Sequence, residues 1–412
     1  MPAIRYPMSD VQLYSWAQST HSGPVPTRRW LTFRDRLAWL AAFAIVVLIV
    51  QDTAAIRGST PKPLRVDHNG ILPQTDSLQF RLEPLDYPDL DRLAEREHLR
   101  DLAGSGRQFD QILRVKNWVA AQWPEGVPTP NPPWNAMIVL DWIRAGKTGG
   151  ACGQYAQVLL QSLAALGFSA RYVEIGSLDN PYAHFVTEVW SNDFDKWVLM
   201  DADYNVHFEH NGIPLSVLEL HDALLDKTLA GVRPVLGTSR EGHPAPDMWP
   251  KQTAEFYHYV RYHLKADHLA RPDEPPFDRF NDMIGLEDPR VEPWERSQVE
   301  SPFPKERLTR LRTSDRDALY GRLNQIRLEV VSKPTGVAFG LRHNVSEFDH
   351  YEFRIIDADG AATAWQSLRE SLLPSPLSEP GSSLEVRGVN VRGIAGPSTR
   401  ITVAETDALA SI

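Results

Sequence analysis

The chain has a single cysteine, Cys152, and its neighbours have the character a nucleophile needs. Gly149-Gly150-Ala151-Cys152-Gly153-Gln154-Tyr155-Ala156 runs directly into QVLLQSLAALGF. Tyr155, Val158, Leu159, Ser162, Leu163 and Leu166 recur at helical spacing, with Gln154, Gln157 and Gln161 on another face. Gly167 is placed to end that helix as its C′ residue. Cys152 is therefore expected in the first turn of a largely buried helix. Unpaired amides and the helix dipole favour an anion there, and so a thiolate. The paired glycines ahead of it are expected to let the backbone pass close to a substrate. A lone cysteine is by default a small buried hydrophobe, and this setting argues against that default.

A thiol nucleophile needs a base, and a base needs an orienter. Three strand-like segments follow the helix: SARYVEIG (169–176), AHFVTEVW (183–190) and KWVLMD (196–201). The last two flank Ser191-Asn192-Asp193-Phe194-Asp195, a plausible hairpin turn. A turn centred between Asn192 and Asp193 sets His184 directly opposite Asp201, with Cβ atoms about 5 Å apart. His184 would then accept and return the proton while Asp201 fixes the ring's orientation and tautomer. Asp203 shares the strand face of Asp201 and is its competitor; the Trp-Val-Leu-Met-Asp pattern favours Asp201. The Cys152 amide is one candidate oxyanion donor. Gln122, Trp134 and Asn135 are the candidates for a second.

These segments together resemble the core of the transglutaminase-like superfamily. Its pattern has Cys at a helix start, a downstream "alG.sAR" segment, His opening a strand, and Asp closing the next strand after Trp-Val. Here those are GGACGQYAQVLLQSLAALGFSARYV, AHFVTEVW and KWVLMDADYN. The resemblance implies a papain-like α+β fold, a helix-start cysteine packed on an antiparallel sheet. It assigns the triad roles to Cys152, His184 and Asp201. It also implies cysteine peptidase, amidase or acyl-transfer chemistry on a protein or peptide substrate, without cofactor or metal. Classical members carry Trp after the cysteine; Gly153 stands there instead, which loosens the link to glutamine–lysine cross-linking rather than to thiol chemistry. A different class is also open: a scaffold or binding protein in cell-envelope or surface-polysaccharide assembly that keeps the fold without the reaction.

The elements around this core are coarser. Residues 109–123 have helical spacing, with Ile112, Val115 or Lys116, Val119 and Trp123 along one side. A proline-rich stretch and a short apolar helix at 136–143 follow. His207-Phe208-Glu209-His210 has the residue types of a partial metal site, but no further ligand stands at recognisable spacing, and a solvated loop or strand is expected. A helix is expected over 253–270, carrying His258, His263 and His268 and packing against the core. From about residue 319 the pattern turns to alternating strands. Four or five of these are legible, as in a fibronectin III or immunoglobulin-like sandwich, a module that could bind a protein or glycan.

Near the start, LAWLAAFAIVVLIV (37–50) is fourteen apolar residues without a charge, preceded by Arg28, Arg29, Arg34 and Arg36. It is short for a span, which normally needs about 20 residues. The expected organisation is a polar tail (1–36), a membrane anchor or signal segment (37–55), a catalytic domain with an extension (75–317) and a β-sandwich (318–405). The bulk would then lie outside the cytoplasm, as in a single-pass periplasmic protein. A net charge of −10 argues against nucleic acid as the main partner. One cysteine excludes an intrachain disulfide and a multi-cysteine zinc site.

Overall fold

The structure, a computed structural model, describes residues 64–72, 78, 80–178, 184–237, 256–273, 282–292, 311–333 and 336–404. The tail at 1–36 and the apolar segment at 37–55 lie outside the described residues. Among the described residues, no helix is long and apolar enough to cross a membrane.

The cysteine helix, Cys152–Ala165, is the centre of the first core. Its residues from Gln154 to Ala165 are all buried, because helices surround it on one side and a sheet backs it on the other. Those helices are α1 (Pro88–Arg96), α3 (Gln108–Ala120) and α4 (Ala136–Arg144), with the short α2 (Leu99–Ala103) between the first two; the cysteine helix is α5. It ends where the glycine predicted. Gly167 has φ +94°, Phe168 N donates to Leu163 O at 3.0 Å and Gly167 N to Ala164 O at 2.9 Å, the paired bonds of a Schellman cap.

The sheet behind it has six strands in the order β10-β9-β8-β2-β3-β4. Their spans are β2 (Ala170–Gly176), β3 (His184–Ser191), β4 (Lys196–Met200), β8 (Tyr259–His263), β9 (Met283–Leu286) and β10 (Leu311–Thr313). All neighbours are antiparallel except β9 and β10. The architecture is thus mixed α and β with largely antiparallel sheets. A second core, on Val173, Ile175, Val186, Leu199 and Phe208, packs against α6 (Val217–Leu225) and β5 (Val206–His210).

Two expectations are corrected here. The region expected as a helix over 253–270 contains β8. Tyr-Val-Arg-Tyr-His alternates, Val260 and Tyr262 join the second core, and the strand pairs with β2 from Val173↔Tyr262 to Gly176↔Tyr259. Pairing with a distant strand overrides a local helical pattern. Two of its histidines do pack on rings of the core: His268 stacks on Tyr172 with centroids 5.7 Å apart, and His263 lies 5.4 Å from Phe185.

The hairpin register also differs. Ser191 pairs with Lys196 and Thr187 with Met200, so the loop is four residues long, with Asp195 at φ +52°. Its residues are held both from within the hairpin and from α3, where Asn192 Nδ2 donates to Gln108 Oε1 at 2.8 Å. Asp193 Oδ2 accepts the Phe109 amide at 2.8 Å, capping α3, whose own N-cap Arg107 makes no side-chain cap. Asn192 Oδ1 accepts Trp190 Nε1 at 2.8 Å.

The C-terminal region is a two-sheet sandwich. One sheet runs β1-β17-β16-β13-β14 and the other β11-β12-β15, with Ile326, Phe339, Leu341, Tyr351, Leu384 and Ile401 in the core between them. The strands are β11 (Ile326–Lys333), β12 (Gly336–His343), β13 (Phe348–Ile356), β14 (Gln366–Leu368), β15 (Leu372–Pro374), β16 (Ser383–Asn390) and β17 (Thr399–Val403). An eighth comes from before the catalytic segment: β1 (Leu64–His68) pairs with β17. The sandwich seats on the cap of the cysteine helix. Asn390 Nδ2 donates to Gly167 O at 2.9 Å, and a Cβ on Gly167 would lie 2.5 Å from Arg392 Cβ.

Candidate active site

The approach to Cys152 is a short ladder. Gly126 N donates to Gly150 O at 2.8 Å and Gly149 N to Val127 O at 3.1 Å. This explains the paired glycines differently from the sequence expectation. A Cβ on Gly149 would lie 2.6 Å from Val127 O, and one on Gly150 would lie 2.4 Å from Trp123 Nε1 and 2.7 Å from Ile143 Cδ1. Their missing side chains make room for the protein's own chain and indole. Gln154 then reaches back so that its Oε1 accepts the Ala151 amide at 3.0 Å, and its Nε2 donates to Asn131 Oδ1 at 3.2 Å. The helix start is therefore held on both sides of a half-buried thiol. Beside it, a Cβ on Gly153 would meet nothing within 4 Å.

His184 opens β3 and Asp201 stands just past the end of β4. The observed register removes them from direct opposition, yet their side chains meet: His184 Nε2 lies 2.8 Å from Asp201 Oδ2. The reason is the tight turn that follows β4. Asp201 and Val206 exchange backbone bonds of 3.0 and 2.9 Å, and Tyr204 N donates to Asp201 Oδ1 at 3.0 Å. Each carboxylate oxygen has its own partner, so the group is fixed in orientation. Engaging Nε2 leaves Nδ1 as the nitrogen available to the thiol. His184 is buried, with Tyr204 and Phe256 rings at 4.9 and 5.8 Å. Burial opposes charge on the imidazole, but the Asp201 charge and hydrogen bond outweigh it, and Cys152 adds to them. The pKa of His184 is raised well above its usual value. The same turn carries Asp203 back to the thiol: Cys152, His184 and Asp203 place one donor atom each within 4.8 Å of one another.

Behind Asp201 sits a group that the helical spacing left as an alternative to Val115 and gave no role. Lys116, on α3, is 1% exposed. Burial pushes its ammonium down to about 7, with the Asp201 carboxylate pulling the other way. On the same helix Phe109 meets the ring of His207 edge-on at 5.6 Å, and burial together with the Lys116 charge holds His207 down to about 4. In the unfolded chain a lysine titrates near 10.5. Between pH 7 and 10.5 the unfolded state therefore binds more protons, and stability should rise with pH across that window. Lys116→Met should raise unfolding free energy by roughly 2–4 kcal/mol at pH 6, a gain that shrinks toward pH 10. Urea titrations at the two pH values check this.

Other expected residues have structural duties. Gln122 is used at both ends, by Trp118 O at 3.0 Å and by Arg144 Nη2 at 2.6 Å. Asn135 Oδ1 caps α4 through the amides of Met137 and Ile138. Trp134 packs edge-on against Tyr172 and His268. His207 and Glu209 lie on β5 bonded to each other at 3.1 Å, and Glu209 is held by Arg233 at 2.5 Å; of the loop or strand expected, a strand forms, and its His207 is buried rather than solvated.

With this geometry in place, the comparisons with known proteins are specific. Residues 97–202 match the family model described as the transglutaminase-like superfamily. That stretch carries a transglutaminase-like domain and contains Cys152, His184 and Asp201, while Asp203 lies one residue beyond it. The superfamily is in general one of cysteine-based enzymes. No curated protein matches the chain.

Proposed function

We propose that this protein is a thiol-dependent amide-bond enzyme acting through an acyl-enzyme on a protein or peptide substrate. The observation that carries the reading is the 2.8 Å Asp201–His184 bond beside the chain's only thiol. In this mechanism the Cys152 sulfur, its proton taken by His184, attacks the carbonyl carbon. The Cys152 amide, at the first turn of its helix, faces the developing oxyanion. The C–N bond then breaks as His184 returns the proton to the leaving amine. Water or an amine, deprotonated by His184, attacks the thioester and releases the thiolate. Peptidase, amidase and acyl transferase share these steps and differ in the second nucleophile.

Anchoring belongs to the same proposal. The apolar run at 37–50, with four arginines before it against Arg57, Lys62 and Arg65 after it, supports a single-pass protein with its catalytic domain outside the cytoplasm, in the periplasm. The sandwich would hold a protein or glycan partner near the site.

Acylation by p-nitrophenyl acetate, followed by mass spectrometry, tests the chemistry without a known substrate. The wild-type chain should release a burst of one nitrophenolate per chain and carry acetyl on Cys152. Cys152→Ala should show neither, and His184→Gln should acylate about 100-fold more slowly. Acylation of His184→Gln at the wild-type rate would sink the Cys–His assignment.

A further inference from the structure

Asp203 is surplus to the thiol mechanism, because Asp201 already holds the imidazole, yet its carboxylate is buried at the thiol. We propose that Cys152, His184 and Asp203 form a site for one zinc ion that reversibly blocks the thiol. The donor set is one sulfur, one nitrogen and one oxygen, all mutually within 4.8 Å. Zinc takes such ligands at about 2.3, 2.0 and 2.1 Å in a tetrahedron, whose edges are roughly 3.3–3.6 Å. Small side-chain adjustments close that gap.

The imidazole is also held as a metal ligand would need. Metal-bound histidines characteristically have their other ring nitrogen on a carboxylate. His184 has that arrangement already, Nε2 on Asp201 at 2.8 Å, with Asp201 locked by the Tyr204 amide. Two ligands are buried while Cys152 is half-buried, and Gly153 adds no side chain beside it. That leaves a fourth position for water and a path for entry. Binding converts the thiol to a zinc thiolate and releases one proton, and thiolate plus carboxylate balance the charge of the ion. The thiolate favours zinc over magnesium or calcium, which take oxygen ligands.

The inference shares residues with the proposed enzyme but does not depend on catalysis, and the tests separate. Zinc added to the full chain should slow iodoacetamide alkylation of Cys152, saturate at one equivalent and be reversed by a chelator. Cobalt(II) in its place should give a thiolate-to-metal charge-transfer band. Asp203→Asn should weaken protection at least about tenfold. Alkylation unaffected by about 100 µM zinc, a cobalt complex without the thiolate band, or full protection in Asp203→Asn would each overturn the site. The cobalt spectrum of the wild-type chain decides the matter if that variant does not fold. Normal acylation without zinc protection overturns this inference alone; zinc protection without acylation overturns the enzyme reading alone.

Discussion

Asp201→Asn should lower turnover by about 10³–10⁴-fold while leaving the fold intact. The geometry says why so small a change costs so much. Asparagine can keep the bond from the Tyr204 amide through its carbonyl oxygen, which now occupies the place of Oδ1. Its NH₂ group then points at His184 Nε2, where a carboxylate oxygen lay 2.8 Å away. An NH₂ donor forces Nε2 to accept, so the ring proton moves to Nδ1, the nitrogen needed as base. The tautomer becomes wrong for catalysis with almost no displacement. The anion that raised the His184 pKa is lost as well, so the imidazolium formed during acylation is less stable. The expected signature is a fall in kcat with KM little changed. A loss under about tenfold would show that Asp201 does not set the tautomer.

The cysteine helix was readable because its determinants are local. Apolar spacing, a glycine stop and a first-turn cysteine lie within some twenty residues, and no distant partner decides them. The Asp201–His184 contact was also anticipated, although the register behind it was not. The four-residue loop is held by Asp193 on the amide of Phe109, a helix start 84 residues away. No pattern within the hairpin reports that bond. Long-range pairing hid the rest. β8 is a strand because β2 offers it an edge, and β1 belongs to the sandwich because β17, at the far end of the chain, pairs with it. Asp203 shares the expected strand face of Asp201, but the turn after β4 gives the two carboxylates different neighbours. Lys116 carried a usable signal, a charge in the apolar stripe of α3, but what it faces depends on the tertiary fold.

Glu188→Gln should destabilise the protein by about 3–5 kcal/mol, because it leaves a fully buried guanidinium without its anion. Arg171 and Glu188 are 1% and 0% exposed at their side chains. Arg171 Nε and Nη2 donate to Glu188 Oε2 at 3.0 and 2.6 Å, and Nη1 donates to Leu319 O at 2.5 Å. Four rings enclose the cation, those of Phe80, Trp197, Tyr262 and Tyr320, with centroids 4.2–4.8 Å from Cζ. Burial works against the charge, but Glu188 prevails and the pKa of Arg171 is raised. The other oxygen of Glu188 accepts the Val217 amide at 2.8 Å and the Tyr320 hydroxyl at 2.7 Å, so one carboxylate joins β3, the start of α6 and the segment after α7 (Arg316–Leu319). The pair therefore ties the strand bearing His184 to its surroundings, through groups that do no chemistry. Its separation from catalysis can be measured. Arg171→Met combined with Glu188→Leu should recover most of the stability lost in either single variant, since an apolar pair replaces a desolvated ionic one. Urea unfolding of the four proteins gives the coupling energy. A single-variant cost under about 1 kcal/mol would mean that the rings and the Leu319 carbonyl alone hold the cation.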